Sequence, residues 1–194
     1  MGDIAAAAEA IRRGDLVVYP TETVYGLGTD ALDPDAVARV FEAKGRSRDN
    51  PVSMAVPSVE AARDYTAPTD RERRFMEAFL PGPVTIVVER HESVPDVLTA
   101  GRDRVGVRVP DHEAALALLE AAAPITATSA NVSGRSSARS VTDLDDDIRE
   151  AAAVVVDGGE TPGGGSTVVD VSASEIHRRG SLAGEVETWL SDGR

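Results

Sequence analysis

Residues 16–44 read LVVYPTETVYGLGTDALDPDAVARVFEAK, and this stretch predicts a strand, a loop and a helix in succession. Leu16–Tyr19 is a short apolar run that a proline ends, since proline lacks the N–H that a strand interior needs. Threonine and glycine are frequent in residues 21–28, which predicts a loop there. The Asp-Pro pair at residues 33–34 supplies an N-cap and a favoured first helical residue, so a helix is predicted from there to about the end of the stretch. A strand and a helix in close succession indicate an α/β protein.

The sequence on either side continues this mixture of elements. Helices are predicted at about residues 4–13 (closed by Gly14), 59–64, 71–80, 111–122 (capped by Asp111) and 185–190, and strands at about 52–56, 84–89, 105–109, 125–128, 154–156, 166–171 and 175–178. Residues 135–147 are polar and acidic, which predicts a surface segment with a short helix. Because strands and helices do not alternate strictly, we expect a mixed α/β sheet and not a doubly wound parallel one.

The composition predicts one acidic domain that spans residues 1–194. The net charge is −13 at pH 7, which disfavours non-specific adhesion to nucleic acid. Lys44 is the only lysine among the 20 basic residues, and 33 residues are acidic. This bias is typical of proteins from a high-salt cytoplasm, where repulsion between acidic groups is screened because the Debye length shortens to about 3 Å at 1 M salt.

Several classes of protein are disfavoured by what the sequence lacks. It has no cysteine, so a disulfide framework, a thiol nucleophile and a cysteine-ligated zinc are excluded. Its three histidines show no metal-binding spacing, and no protein-only metal site is predicted. We expect a cytoplasmic protein without a membrane segment, because there is neither a signal sequence nor an apolar run near 18 residues. The Rossmann, Walker and nucleophile-elbow motifs are also missing.

The single lysine lies in the segment AKGRSRDNP at residues 43–51. Converging cations at a helix end are typical of an anion site, although basic residues also favour a solvated helix C-terminus through the macrodipole. Other polar residues follow, precede or lie within predicted strands, and together they predict a cleft at the strand ends: Thr21, Thr23, Arg46, Arg108, Ser129, Asn131, Ser166 and Thr167. The glycine-rich run before Ser166 is compatible with an anion-binding loop or with a flexible turn.

Seven ordered motifs then make the chain resemble a known family. They are YPTETVYGLG at 19–28, KGRSRDNP at 44–51, PGPVT at 81–85, VGVRVP at 105–110, TSANVSG at 128–134, STVVD at 166–170 and IHRRG at 176–180. In this order, over about residues 15–180, they resemble the YrdC/YciO-like family of threonylcarbamoyl-AMP synthases. The resemblance implies an open, twisted α/β sheet with flanking helices and a concave, positively lined cleft.

The resemblance also implies an activity and a set of site residues. Members join ATP, L-threonine and bicarbonate or CO₂ into threonylcarbamoyl-AMP and pyrophosphate, with Mg²⁺ accompanying ATP, and the product feeds t6A modification of tRNA by a downstream threonylcarbamoyltransferase complex. Lys44 and Arg46 would be catalytic. ATP would contact Lys44, Arg46, Arg48, Ser129, Asn131 and Arg178, and threonine would contact Thr21, Arg108, Ser129, Ser166 and Thr167.

The sequence departs from the family pattern in places. Ala55 replaces a histidine that many members carry, IHRRG is a degenerate form of the C-terminal segment, and the chain resembles the short, single-domain members. Two alternatives stay open: an RNA-binding or ribosome-associated paralogue without adenylate synthesis, and carbamoyl transfer from carbamoyl phosphate to ATP. Direct binding of tRNA is left undecided.

Overall fold

Helices and strands are interspersed along residues 2–193, the part of the chain that the computed structural model describes. The predicted domain of residues 1–194 thus includes two terminal residues that lie outside the described ones. The helices are α1 (Gly2–Arg12), α2 (Pro34–Lys44), α3 (Val59–Ala62), α4 (Asp70–Phe79), α5 (Asp96–Thr99), α6 (Glu113–Ala122), α7 (Asp146–Ala151) and α8 (Ala183–Ser191), with a 3₁₀ turn at Val141–Asp143. The strands are β1 (Leu16–Tyr19), β2 (Gly26–Gly28), β3 (Ser53–Ala55), β4 (Val84–Glu89), β5 (Arg104–Arg108), β6 (Ile125–Ser129), β7 (Ala152–Val155), β8 (Thr167–Asp170) and β9 (Glu175–Arg178).

The nine strands form one mixed sheet in the order β7-β1-β2-β6-β3-β5-β4-β8-β9. Three neighbouring pairs are parallel, namely β1 with β7, β3 with β5 and β4 with β8. The other pairs are antiparallel. The predicted mixed α/β sheet is therefore confirmed.

Helix α2 forms as its sequence predicts and brings the lysine-containing segment to the sheet. The Asp33 carboxylate accepts the N–H groups of Asp35 (2.9 Å) and Ala36 (3.3 Å), which caps the first turn. The helix ends at Gly45, which has φ 55° and is the left-handed residue that such an end favours. The chain leaves the helix immediately after Lys44 and turns toward β3.

Residues 26–28 were predicted as a loop but form strand β2, between β1 and β6. The glycines that suggested a loop make room for the ring of Tyr19 on the neighbouring strand. A Cβ at Gly26 would lie 2.8 Å from the Tyr19 Cζ, and one at Gly28 would lie 2.9 Å from Cε1. The two glycines are strand residues that leave room for this ring, a role that composition alone does not reveal.

The predicted Asp111 cap is wrong, and one short helix was missed. Helix α6 begins at Glu113, and its N-cap is His112, whose side chain makes no capping hydrogen bond. The four-residue helix α5 lies in a segment to which no element was assigned. The first error is a shift of two residues at a helix boundary, and the second is a helix of a single turn, too short for an apolar period to reveal.

The core packs on both faces of the sheet but leaves part of one face open. Met54 and Ala55 are consecutive on β3 and so point to opposite faces. On the Met54 face, helices α2, α4, α5 and α8 bury side chains against β3, β4, β5 and β8, including Phe41, Phe75, Leu98, Trp189, Ile86, Val107 and Val169. On the Ala55 face, helices α1 and α6 pack over Tyr19 and Ile125. The remainder of that second face forms the floor of a cavity.

Candidate active site

A cavity of about 850 Å³ lies on the open face of strands β3, β5, β4 and β8. Alternate residues of each strand line its floor: Ser53 and Ala55, Arg104, Gly106 and Arg108, Thr85 and Val87, and Val168 and Asp170. The intervening residues of β5, Val105 and Val107, are buried in the core. The floor therefore follows the period of two that strands impose.

Gly106 has no side chain and so leaves open the space above the middle of this floor. A Cβ at that position would lie 3.1 Å from Thr85 Cγ2 and closer still to Ser53 Oγ. The glycine thus separates two arginines, Arg104 and Arg108, which are about 13 Å apart along the strand at ~3.3 Å per residue.

Among residues 2–193, five arginines line the cavity of a chain whose net charge is −13, and three of them, Arg46, Arg108 and Arg178, influence one another electrostatically. Burial lowers the pKa of Arg178, and the charges of Arg108 and Arg46 lower it further. Burial also lowers the pKa of Arg46. Because these cations repel one another in a partly dehydrated site, an anion bound among them would be stabilised.

Arg108 is oriented by the loop that follows β1. Its Nη2 donates to Thr23 Oγ1 at 2.9 Å and forms an ion pair with Glu22 Oε1 at 2.9 Å. Thr21 Oγ1 lies 3.0 Å from Thr23 Oγ1 and donates to Val24 O at 2.7 Å. These contacts hold Nη2 of Arg108 at one end of the floor.

Arg178 is oriented by the start of β8. Its Nε donates to Ser166 O at 3.0 Å, and its Nη2 donates to Ser166 Oγ at 2.7 Å. The Ser166 hydroxyl is also 3.1 Å from Thr85 Oγ1 on the floor. Ser166 and Arg178 therefore form one unit that faces the cavity.

Arg46 is held from the opposite side by main-chain carbonyls. Its Nε donates to Asn50 O and its Nη2 to Pro51 O, each at 2.9 Å. Ser129, at the end of β6, lines the same cavity. The structure thus brings six of the predicted site residues together around one space: Thr21, Arg46, Arg108, Ser129, Ser166 and Arg178.

Two predicted site residues lie away from the cavity for simple reasons. Arg48 is exposed and forms an ion pair of 3.7 Å with Glu42 on helix α2. Thr167 is fully buried, because it is the first residue of β8 and points to the face opposite to Val168, which lines the cavity. Its hydroxyl accepts the Gly180 N–H at 3.2 Å. Neither side chain lines the cavity wall.

Lys44 and Asn131 also lie behind the wall and not in it. Lys44 is only 2% exposed, and its ammonium donates to the carbonyl oxygens of Ser129 and, at 2.7 Å, Asn131. The Asn131 amide donates to the carbonyls of Val132 (2.8 Å) and Arg135 (3.0 Å). Burial, followed by the charge of Arg46, lowers the pKa of Lys44 to about 8.

Some cavity residues were not predicted. Ser53, Thr85, Gly106 and Arg104 lie on the floor, and His177 lies near Arg178 on the rim. The alternation of RVGVR in β5 was a usable signal, since once Arg108 faces a site, Gly106 and Arg104 must share that face. Ala55, which stands where many family members were expected to have histidine, contributes a methyl group to the floor.

Metal-ligand and membrane-spanning features are not found in residues 2–193. Within that range no group of three or more His, Cys, Asp or Glu side chains could hold a metal ion. No helix described there is long and apolar enough to cross a membrane.

Comparison with known proteins places these observations in a family context. Residues 9–180 match the Sua5/YciO/YrdC family model, whose description reads "Telomere recombination". The threonylcarbamoyl-AMP synthase of Pyrococcus abyssi is 46% identical over 172 residues, which cover 87% of this chain and 51% of that protein. The threonylcarbamoyl-AMP synthase of Bacillus subtilis is 39% identical over 176 residues, 89% of this chain and 51% of that protein.

A solved structure gives the same result at the level of the fold. The crystal structure of Pyrococcus abyssi Sua5 complexed with L-threonine superimposes with a TM-score of 0.90 at 44% identity, over 96% of this chain and 56% of that one. This chain therefore spans about half the length of the relatives it matches.

Proposed function

Because the chain belongs to the Sua5/YciO/YrdC family, we propose that it is a threonylcarbamoyl-AMP synthase. It would make threonylcarbamoyl-AMP and pyrophosphate from ATP, L-threonine and bicarbonate or CO₂, as a nucleotidyltransferase. The observation that carries the proposal is the convergence of three guanidinium groups on one cavity of about 850 Å³, a volume in the usual range for a ligand site.

Threonine is assigned to the end of the cavity that holds Arg108. A guanidinium can bind a carboxylate through two parallel hydrogen bonds, and Thr23 and Glu22 already hold Nη2 of this one. Thr21 and Ser166 supply hydroxyl groups nearby. A related protein, Pyrococcus abyssi Sua5, has been crystallised with L-threonine, which supports an amino-acid site in this fold.

The triphosphate is assigned to Arg46, Arg178 and Ser129. Phosphoryl and nucleotidyl transfer need charge neutralisation and alignment more than covalent help, and cations with a hydroxyl group provide both. Mg²⁺ would enter as the magnesium complex of ATP, since phosphate oxygens are ligands that this ion prefers. Lys44 contributes its charge from behind the wall.

The proposed reaction has two steps. The threonine amine adds to CO₂ and loses a proton, which forms a carbamate. A carbamate oxygen then attacks the α-phosphorus of ATP, and pyrophosphate leaves as the P–O bond to the β-phosphate breaks. The protein holds the two reactants in line and offsets their charge.

The partners and location follow from this activity and remain part of the proposal. The adenylate would pass to a tRNA-modifying threonylcarbamoyltransferase complex in the cytoplasm, for t6A modification. The acidic net charge disfavours tight non-specific RNA binding by this chain itself.

The experiment is a pyrophosphate-release assay in which one substrate at a time is omitted. We expect release that requires ATP, bicarbonate and threonine together. In Arg108→Lys, which keeps the charge but loses the fork, the KM for threonine should rise about tenfold or more, while the KM for ATP changes little. Tight RNA binding without any turnover would instead favour the RNA-binding alternative.

A further inference from the structure

We propose that Lys44 is a positioning residue, which sets the loop of residues 129–133 in the cavity wall and acts on a bound nucleotide through Ser129. Direct contact between its ammonium and phosphate is not required. The proposal rests on the proposed function only for the identity of the ligand, since the contacts themselves lie within the protein.

Lys44 holds this loop at three points along the chain. Its ammonium donates to the carbonyl oxygens of Ser129 and Asn131, and its own carbonyl accepts the N–H of Ser133 at 2.8 Å. One residue thus contacts positions 129, 131 and 133, at the end of β6 and just beyond it. These contacts bracket the segment that carries the Ser129 hydroxyl.

Side chains and carbonyl groups of residues 129–137 also form hydrogen bonds with one another. The Ser129 hydroxyl donates to Asn131 Oδ1, and the Ser137 hydroxyl lies 3.5 Å from the same oxygen. The Asn131 amide in turn donates to the Val132 and Arg135 carbonyls. Asn131 therefore serves this internal network, and Ser129 and Ser137 are the members of it that line the cavity.

The geometry also explains why a lysine stands here in a chain that otherwise uses arginine. A single ammonium nitrogen has three donors on one atom and can serve two converging carbonyl groups in a site that is 2% exposed. A guanidinium distributes its donors over three nitrogen atoms of a planar group, which is too wide to replace one nitrogen between two converging carbonyl oxygens. Two of the three Lys44 donors are committed to the loop, whereas Arg46, two residues on, reaches the cavity.

The test is a double-mutant cycle on ATP binding, measured by calorimetry with the magnesium complex of ATP. We expect Lys44→Met to weaken binding by roughly 10–30-fold and Ser129→Ala by roughly tenfold. Because both changes disable the same contact, adding Ser129→Ala to Lys44→Met should cost less than a further twofold. The control pair, Arg178→Met with Ser129→Ala, lies on separate strands, and its effects should multiply.

A second readout needs no ligand. Hydrogen exchange of the free protein should quicken in peptides covering residues 129–137 in Lys44→Met and in Lys44→Arg, and it should stay unchanged there in Arg46→Met. Lys44→Gln, a shorter and uncharged side chain that keeps two N–H donors on one nitrogen, gives the same comparison if Lys44→Met does not fold. Effects of Lys44 and Ser129 that multiply, or unchanged exchange in the Lys44 variants, would overturn the proposal.

The two proposals can fail separately. If wild-type protein binds ATP but releases no pyrophosphate, the proposed activity fails and the cycle still decides the role of Lys44. If ATP does not bind at all, the exchange comparison alone decides it.

Discussion

Gly180 offers a sharp test of how the cavity is built, because the Cβ of an alanine at this position would overlap backbone atoms of residues 165–167. A Cβ at Gly180 would lie 2.5 Å from Ser166 C and 2.5 Å from Thr167 N, and closer still to Gly165 O. These are backbone atoms, so no rotamer change relieves the overlap, and Gly180 has no positive φ that would add a second cause. The overpacking should cost about 3 kcal/mol, at the upper end of such substitutions. For a chain of this size that corresponds to a fall in Tm of about 6–12 °C.

The matched control for Gly180→Ala is Gly184→Ala. Nothing lies within 4 Å of a Cβ at Gly184, which is in the first turn of helix α8, so that variant should be neutral or slightly stabilised. Urea unfolding at pH 7 measures both. Displacement of Ser166 and Arg178 should also raise the KM for threonine or ATP about tenfold or more in Gly180→Ala. Equal stability of the two variants would refute the reasoning.

Three further predictions concern buried groups. The pKa of Lys44 is about 8 in the folded protein and 10.5 in the unfolded chain, so the unfolded state binds more protons between these two pH values. The free energy of unfolding of wild type should therefore rise by about 3 kcal/mol relative to that of Lys44→Met from pH 7 to 11. A constant difference between the two proteins across that range would contradict this. Glu72 is 1% exposed and accepts a hydrogen bond of 2.6 Å from Arg104, and although burial opposes it, its hydrogen bonds lower the pKa of this carboxyl group. Glu72→Gln should therefore lower the free energy of unfolding by about 2 kcal/mol at pH 7. In urea titrations this difference from wild type should shrink as the pH falls below about 4.5. Gly26→Ala should lower Tm through its clash with Tyr19, and Tyr19→Val should restore part of that loss in the double variant, whereas additive losses would show that the ring is not the cause.

Much of the fold could be predicted because its signals are local. The strands at 16–19, 84–89 and 175–178 occur where the sequence predicts them, and helix α2 begins at the predicted Asp33 cap and ends at Lys44, as predicted. Strand β2 could not be predicted this way. Two of its three residues are glycines, which predict a loop, and their fit beside the Tyr19 ring on another strand is visible only in the structure.

The candidate site could also be predicted only in part. The cations and hydroxyl groups at the strand ends could be predicted as a cluster, because strands of one sheet bring their ends together. Which of them face the cavity depends on the period of two within each strand, and this separates Ser166 from Thr167. The inward placement of Lys44 could not be predicted, since it depends on the carbonyl groups of Ser129 and Asn131, which are 85 and 87 residues away along the chain.

The most direct measurement of the central claim is mass spectrometry of the products formed from ATP, L-threonine and ¹³C-bicarbonate. Wild-type protein should yield threonylcarbamoyl-AMP that carries one heavy carbon, in an amount equal to the pyrophosphate released. Arg46→Met, as a folded variant, should lose most of this product. Formation of unlabelled adenylate, or of no adenylate by folded protein that binds both ATP and threonine, would contradict the account.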